Sequence, residues 1–180
     1  MPGLIVQADQ LPKRRQLIQR VFRPLSPTQH SHVFQRPVGS SVSFGLGGDP
    51  GTDLRAARHR SRNNRVFLNY FEVWRSEQRA TAFSLEKAYL HLDVPLPNGR
   101  GDEEALALHC DPALASTEQA YMYKRGPHFH ISGNKRDISK SHIALCLTNL
   151  EQTCSDLDAF NAAFAALLKM IGDEILERLG

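Results

Sequence analysis

Near residue 66 the chain changes its pattern of apolar and polar positions. From there to about residue 147 apolar residues alternate with polar ones, which is the period of a β-strand with one buried face. Turn-forming separators such as PLPNGRGD divide this region, and without intervening helices the strands are expected to pair antiparallel as a meander. The predicted strands span residues 66–74, 79–85, 87–94, 103–110, 120–124, 127–132 and 141–147.

Two stretches show the period of a helix instead. A weak apolar stripe in residues 10–22 predicts an N-terminal helix that Pro24 ends. Near the C-terminus, Ser155 as N-cap and Asp158 form a predicted capping box. The helix that follows is expected to lie across the sheet, because its apolar residues recur at three- and four-residue steps. These are Leu157, Phe160, Phe164, Leu168, Ile171 and Ile175.

Between these regions, residues 24–64 predict loops with short structured pieces. Five glycines and a proline in residues 39–53 make regular structure improbable there, and Thr52–Arg62 is a candidate short helix. The whole chain, residues 1–180, is therefore expected to be one α+β domain. An antiparallel β-meander sheet packed by a long C-terminal helix would occupy 65–180, after an N-terminal helix and a loop-rich basic segment in 1–64.

Composition narrows the class of protein. A hydrophobic content of 41% is typical of a globular chain, and no run approaches the roughly 20 apolar residues of a membrane span. The first residues do not resemble a secretory signal, so we expect a cytoplasmic protein without membrane contact. The three cysteines form no CxxC pair, which argues against a zinc site built on cysteine.

Charge is distributed unevenly, although the net charge is only +3. Residues 1–82 carry 13 Lys and Arg against 5 Asp and Glu, whereas residues 83–180 carry 9 against 14. The basic front half predicts a polyanion or an acidic protein as partner, unless the two halves attract each other. The predicted contacts to a nucleic-acid backbone are Arg55, Arg58, Arg60 and Arg62.

Strand alternation sorts most of the histidines onto one face of the predicted sheet. In four of the predicted strands, 87–94, 103–110, 127–132 and 141–147, the apolar residues face the core and the opposite side holds a histidine. Small residues between them, Ala105, Ala107 and Ala144, leave room for a ligand. The residues expected to share this face are Tyr89, His91, Asp93, His109, His128, His130 and His142.

Three kinds of chemistry fit such a face. The pair His128 and His130 is typical of a divalent metal site, which His91 or Asp93 would complete. Alternatively, imidazoles act as general acid and base on a phosphate ester while a cation stabilises the transition state. The third interpretation is a face that only binds. The candidate catalytic residues are His128, His130, His109 and His142, with Tyr89, Lys124 and Arg125 as further substrate contacts.

The run EALALHCDP…YMYKRGPHFHISG, followed by a terminal helix, resembles the TumE-type toxins of toxin–antitoxin pairs over residues 103–179. The likeness rests on Pro127, His128 and His130. It implies a growth-inhibiting factor that acts on nucleic acid and has a protein antitoxin. The favoured function is therefore a toxin- or defence-like protein that binds or hydrolyses a phosphate-bearing substrate.

A second resemblance points elsewhere. The stretch HIALCLTNL is similar to the cysteine segment of ubiquitin-conjugating enzymes, which implies thiol transfer through Cys146. A non-catalytic protein-interaction module, docking an acidic partner on the basic front half, is the remaining alternative.

Overall fold

The computed structural model of the protein describes nine stretches of the chain. They are residues 4–26, 33–38, 40–46, 59–62, 65–77, 81–111, 128–131, 141–144 and 156–178; for 36, 38, 128–131 and 141–144 the description covers the backbone alone.

Within these stretches the chain forms nine strands and two α-helices. In chain order they are β1 (Ile5–Gln7), α1 (Leu11–Phe22), β2 (Val33–Val38), β3 (Ser41–Leu46), β4 (His59–Arg60), β5 (Phe67–Ser76), β6 (Ala82–Pro95), β7 (Asp102–Cys110), β8 (His128–Ile131), β9 (Ser141–Ala144) and α2 (Leu157–Met170). A 3₁₀ turn, Ala8–Gln10, leads into α1, and a π-helical turn, Ile171–Ile175, continues α2.

All nine strands belong to one antiparallel sheet, in the order β2-β3-β5-β6-β7-β8-β9. The short strands attach at the ends of the long central ones, β1 to the start of β6 and β4 to the start of β5. This architecture confirms the predicted α+β class, with an antiparallel sheet and a helix towards each end of the chain. Within the described residues, neither helix combines the length and apolar character that crossing a bilayer requires.

Both helices pack on the same side of the sheet. Phe22 of α1 and Phe164 of α2 each contact the ring of Tyr70 on β5, with ring centroids 5.0 Å and 5.2 Å apart. The predicted stripe of α2 is confirmed as a core-facing surface. Its residues Leu157, Phe160, Phe164 and Leu168, together with Ile171 in the π-helical turn, are buried.

A buried ion pair joins the N-terminal helix to the centre of the sheet. Arg14 Nη2 lies 2.8 Å from Glu72 Oε2, and neither side chain is exposed. Two further donors satisfy the carboxylate, Tyr70 Oη at 2.5 Å and Trp74 Nε1 at 2.8 Å. Arg14 Nη1 donates to Asn161 Oδ1 at 2.8 Å. Because a buried charge is costly unless it is paired and hydrogen-bonded, this network fixes how both helices dock.

The loop prediction for residues 39–53 was wrong where the structure describes them. Ser41–Leu46 is strand β3, which pairs with β2 on one side and β5 on the other, and Phe44 and Leu46 are buried. Val42, Phe44 and Leu46 alternate with smaller residues, as in a strand, although the glycines around them are typical of turns.

Two other predicted elements differ at their boundaries. The helix predicted for Thr52–Arg62 is wrong at its end, because His59–Arg60 is strand β4; residues 51–58 lie outside the described part. The N-cap of α2 is Asp156 and not Ser155, since Asp156 Oδ1 accepts the Ala159 N–H at 2.8 Å.

Candidate functional site

The strand register brings the predicted histidines to one face of the sheet, opposite the two helices. Directly opposed residues of an antiparallel pair share a face, so cross-strand partners form rows across the sheet. The first row runs Phe71, Tyr89, His109, His128, Ala144, and the second runs Asn69, His91, Ala107, His130, His142. We call this surface the histidine face.

Burial along β6 confirms the alternation that the sequence predicts. Ala88, Leu90 and Leu92 are buried beneath the helices, whereas Tyr89 and His91 between them are only partly buried. Tyr89 and His91 are therefore partly accessible on the histidine face, whereas Phe71, Asn69 and Ala107 in the same two rows are buried.

A β-bulge places a carboxylate on this face that simple alternation does not predict. Leu92 pairs with Leu106, but the next residue of β6, Asp93, pairs with Glu104, which makes Ala105 the extra residue of β7. Ala105 has no register partner on β6, so its predicted place on the histidine face stays a prediction. Glu104 lies in the row of Asp93, one step from His91 along the sheet.

His91 and Glu104 form a close hydrogen-bonded pair. The distance from His91 Nδ1 to Glu104 Oε2 is 2.6 Å, and the two side chains are 25% and 31% exposed. When Nδ1–H donates to the carboxylate, the imidazole is held in the tautomer whose Nε2 accepts a proton. Both side chains are partly exposed.

A second group of side chains surrounds His109. Its ring stacks on Tyr89, with centroids 4.1 Å apart and planes inclined by 21°, and the Tyr89 hydroxyl donates to Asp111 Oδ1. The rings of His91 and His109 lie 5.1 Å apart at 54°. Asp111 is buried. Two imidazoles from adjacent strands therefore lie side by side. Glu104 contacts His91 directly, and Asp111 contacts the tyrosine that stacks on His109.

The predicted metal ligands lie at neighbouring positions of the strand register. His130 lies opposite Ala107 and His142, which places it two strands from His91. Asp93 lies one row further along. Among residues whose side chains the structure describes, no group of three His, Cys, Asp or Glu is arranged to hold a metal ion.

The predicted arginine contacts fall into different surroundings. Arg60 pairs with Phe67 on the histidine face, and its guanidinium lies 5.1 Å from the centre of that ring. Arg62 instead contacts the end of the C-terminal helix, donating to the Gly172 carbonyl at 3.0 Å and to Glu177. The remaining predicted contacts and the thiol-transfer residue lie outside the described residues: Arg55, Arg58, Lys124, Arg125 and Cys146.

Sequence reasoning missed Glu104 and Asp111. Glu104 lies on the histidine face only because of the bulge at Ala105, and the residue types in β7 do not indicate a bulge. Asp111 is the first residue after β7 and continues the alternation of Ala107 and His109, so that extending the strand by one residue could have found it.

No protein-family model matches the chain, and neither the curated proteins nor the solved structures include a match.

Proposed function

We propose that the histidine face is a general acid–base site that cleaves phosphodiester bonds, with RNA as its substrate. The observation that carries this proposal is the partly exposed His91–Glu104 pair, in which the ring centroid of His91 lies 5.1 Å from that of a second imidazole, His109. Positioned imidazoles exchange protons near neutral pH, and two of them allow one to take a proton while another gives one.

In this reaction His91 is the base. Its Nε2 removes the proton of the ribose 2′-hydroxyl, and Glu104 stabilises the imidazolium that forms, as a buried carboxylate does in a hydrolase triad. RNA is the favoured substrate because the 2′-hydroxyl is a nucleophile already attached beside the phosphorus, which raises its effective concentration by orders of magnitude.

Positive charge supports a polyanionic substrate. Arg60 lies on the histidine face next to Phe67, and Lys87 of β6, opposite Val73, lies on the same face beyond Tyr89. Arg60 lies in the same cross-strand row as Asp93, because both pair with Phe67. Asp93 follows Lys87 by six positions along β6, a distance of roughly 20 Å at about 3.3 Å per residue. The two cations therefore flank the imidazoles, where they can hold a phosphate backbone without reading its bases.

The toxin- or defence-like role belongs to the same proposal. An enzyme that cleaves RNA without strong sequence preference inhibits growth unless a partner covers its active face, which would be the task of an antitoxin. Expression from an inducible promoter should slow growth, and His91→Ala should relieve the inhibition at equal protein level.

The decisive experiment measures cleavage of an end-labelled RNA in the presence of a chelator. We expect fragments ending in a 2′,3′-cyclic phosphate, no cleavage of DNA of the same sequence, and a loss of about 10²-fold or more in His91→Ala. Intact RNA, or equal activity in His91→Ala, would contradict the proposal. Cleavage that appears only with added Zn²⁺ or Mn²⁺ would show that the histidines act as metal ligands instead.

A further inference from the structure

We infer that Arg62 is a positioning residue for Arg60, and that it acts by tying strand β4 to the end of the C-terminal helix. This inference rests on the proposed function, in which Arg60 contacts the phosphate backbone of RNA. It gives Arg62, which the sequence predicts as a second backbone contact, a different task. The two guanidinium groups lie in different surroundings, that of Arg60 near Phe67 on the histidine face and that of Arg62 at the Gly172 carbonyl.

Strand β4 is too short to hold Arg60 in place by pairing alone. It consists of two residues, with His59 opposite Leu68 and Arg60 opposite Phe67. In an antiparallel ladder only every second pair exchanges hydrogen bonds, so a strand of two residues is weakly held by its neighbour. Contacts beyond this pairing are therefore needed to fix the main chain that carries Arg60.

The chain that follows α1 supplies two of these contacts. Ser26 Oγ donates to the Arg60 carbonyl at 2.8 Å. The main-chain N–H of Arg62 donates to the Leu25 carbonyl at 2.7 Å. Both Leu25 and Ser26 are buried, so these hydrogen bonds lie inside the protein. The main chain is therefore held before and after Ser61.

The end of the C-terminal helix supplies a third contact, through the side chain of Arg62. Arg62 Nη2 donates to the Gly172 carbonyl at 3.0 Å and to the Glu177 carboxylate. Gly172 lies in the π-helical turn, where the helix comes close to Leu25: a Cβ atom at position 172 would lie 2.6 Å from Leu25 Cδ2. Arg62 therefore joins strand β4 to two neighbours that also pack on each other.

The surroundings of the two arginines favour positioning over direct binding for Arg62. Its Nη2 already donates to a carbonyl and to Glu177, and the negative charge of that carboxylate repels a phosphate. Arg60 is exposed, and its guanidinium carbon lies 5.1 Å from the centre of the Phe67 ring on the histidine face. Arg60 is therefore better placed than Arg62 to meet a phosphate group.

The variant Glu177→Gln separates the two roles by the sign of its effect on RNA binding. If Arg62 contacts RNA itself, removing the competing carboxylate strengthens binding. If Arg62 positions Arg60, the same change loosens Arg62 and weakens binding, by about twofold to fivefold because an exposed ion pair contributes little. The Glu177 side chain is 61% exposed, so this variant keeps its fold. Glu174→Gln, which removes the same charge from a pair with Arg178, is the matched control and should not weaken binding.

The salt dependence of binding shows whether the two arginines act as one contact or as two. Anisotropy of a short fluorescein-labelled RNA is measured over a series of KCl concentrations, with His91→Ala protein that leaves the RNA intact. Each lost phosphate contact lowers the slope of log affinity against log salt by about one. We expect Arg60→Met, Arg62→Met and the double variant each to lose about one in this slope. A loss of about two in the double variant would show two independent contacts and overturn the inference.

Cleavage kinetics distinguish failure of the inference from failure of the proposed function. Arg62→Met should raise KM for RNA about tenfold and keep kcat within about twofold, because it changes substrate binding and leaves His91 in place. Arg62→Lys, which keeps the charge and a donor, should recover part of the loss. A lower unfolding temperature with an unchanged salt slope would show a purely structural role and overturn the inference alone. A wild-type protein that neither binds nor cleaves RNA would overturn the proposed function and the inference with it.

Discussion

Arg14 of the N-terminal helix and Glu72 of the central strand β5 form an ion pair that no solvent reaches, with Arg14 Nη2 2.8 Å from Glu72 Oε2. Burial alone would lower the pKa of Arg14, but the neighbouring Glu72 carboxylate and Tyr70 outweigh it and raise that pKa, so the guanidinium stays charged. The rings of Phe160 and Phe164 on the C-terminal helix lie 4.7 Å and 4.3 Å from the guanidinium carbon. One cation therefore connects both helices to the sheet.

Removing one partner of this pair should be far more damaging than removing both. Arg14→Met leaves Glu72 buried without its cation, which costs about 3–5 kcal/mol, whereas the double variant Arg14→Met with Glu72→Leu leaves no buried charge. We expect the double variant to be more stable than Arg14→Met in urea unfolding. A double variant that loses the sum of the two single losses would contradict this.

Tyr70 makes stability depend on alkaline pH. Burial, and then the Glu72 carboxylate, raise its pKa well above the ordinary value of 10.0, although Arg14 acts in the opposite direction. The unfolded phenol therefore ionises first, so the stability from neutral Tyr70 is complete below about pH 10 and is lost as the pH rises above it. The unfolding free energy of the wild type should fall more steeply between about pH 9.5 and 11 than that of Tyr70→Phe. Parallel slopes would show that Tyr70 does not carry this dependence.

The carboxylate of Glu104 should matter to activity and that of its neighbour should not. Glu104→Gln keeps a hydrogen-bond acceptor beside His91 but removes the charge that stabilises the imidazolium, so RNA cleavage should fall by about tenfold to a hundredfold. Glu103 pairs with Val94 and lies on the opposite side of the strand, so Glu103→Gln is the matched control. Equal rates in the two variants would remove Glu104 from the mechanism.

The N-cap of the C-terminal helix can also be tested with a variant and a matched control. Asp156→Ala removes the acceptor of the Ala159 N–H and should lower the unfolding free energy by about 1 kcal/mol. Ser155→Ala, at the position that the sequence pattern favours, should change it by less than half as much. Urea unfolding of both variants measures the two losses. A larger loss in Ser155→Ala than in Asp156→Ala would show that Ser155 is the N-cap.

Most of the sheet and the C-terminal helix could be predicted, because both bury one face and their periods repeat over many residues. The stripe from Leu157 to Ile171 and the alternation of Ala88, Leu90 and Leu92 are examples. Strand β3 was missed because its glycines suggested turns, although pairing with β2 and β5 satisfies its backbone. Arg14 was missed because the pattern of a helix does not reveal a buried cation whose partner is 58 residues away.

The histidine face could be predicted by period alone, since five histidines on four strands keep their alternation. Its carboxylate could not, because the irregular pairing at Ala105 changes which of two consecutive glutamates lies beside His91. Asp111 was missed because the predicted strand ended at residue 110. For Glu104 the decisive information was its partner on the neighbouring strand, which a single sequence does not contain.

The bulge at Ala105 also affects how a chain with this fold can vary in length. Because Ala105 has no partner on β6, its deletion leaves Leu106 opposite Leu92 and Glu104 opposite Asp93, whereas deletion of Glu104 puts Ala105 opposite Asp93 and removes the acid beside His91. Strand β7 can therefore lose one residue at this position and keep its acid beside His91. When a chain of this fold lacks the residue at position 105, its alignment with this sequence needs a one-residue gap there. Without the gap, its counterpart of Glu103 would be matched with Glu104.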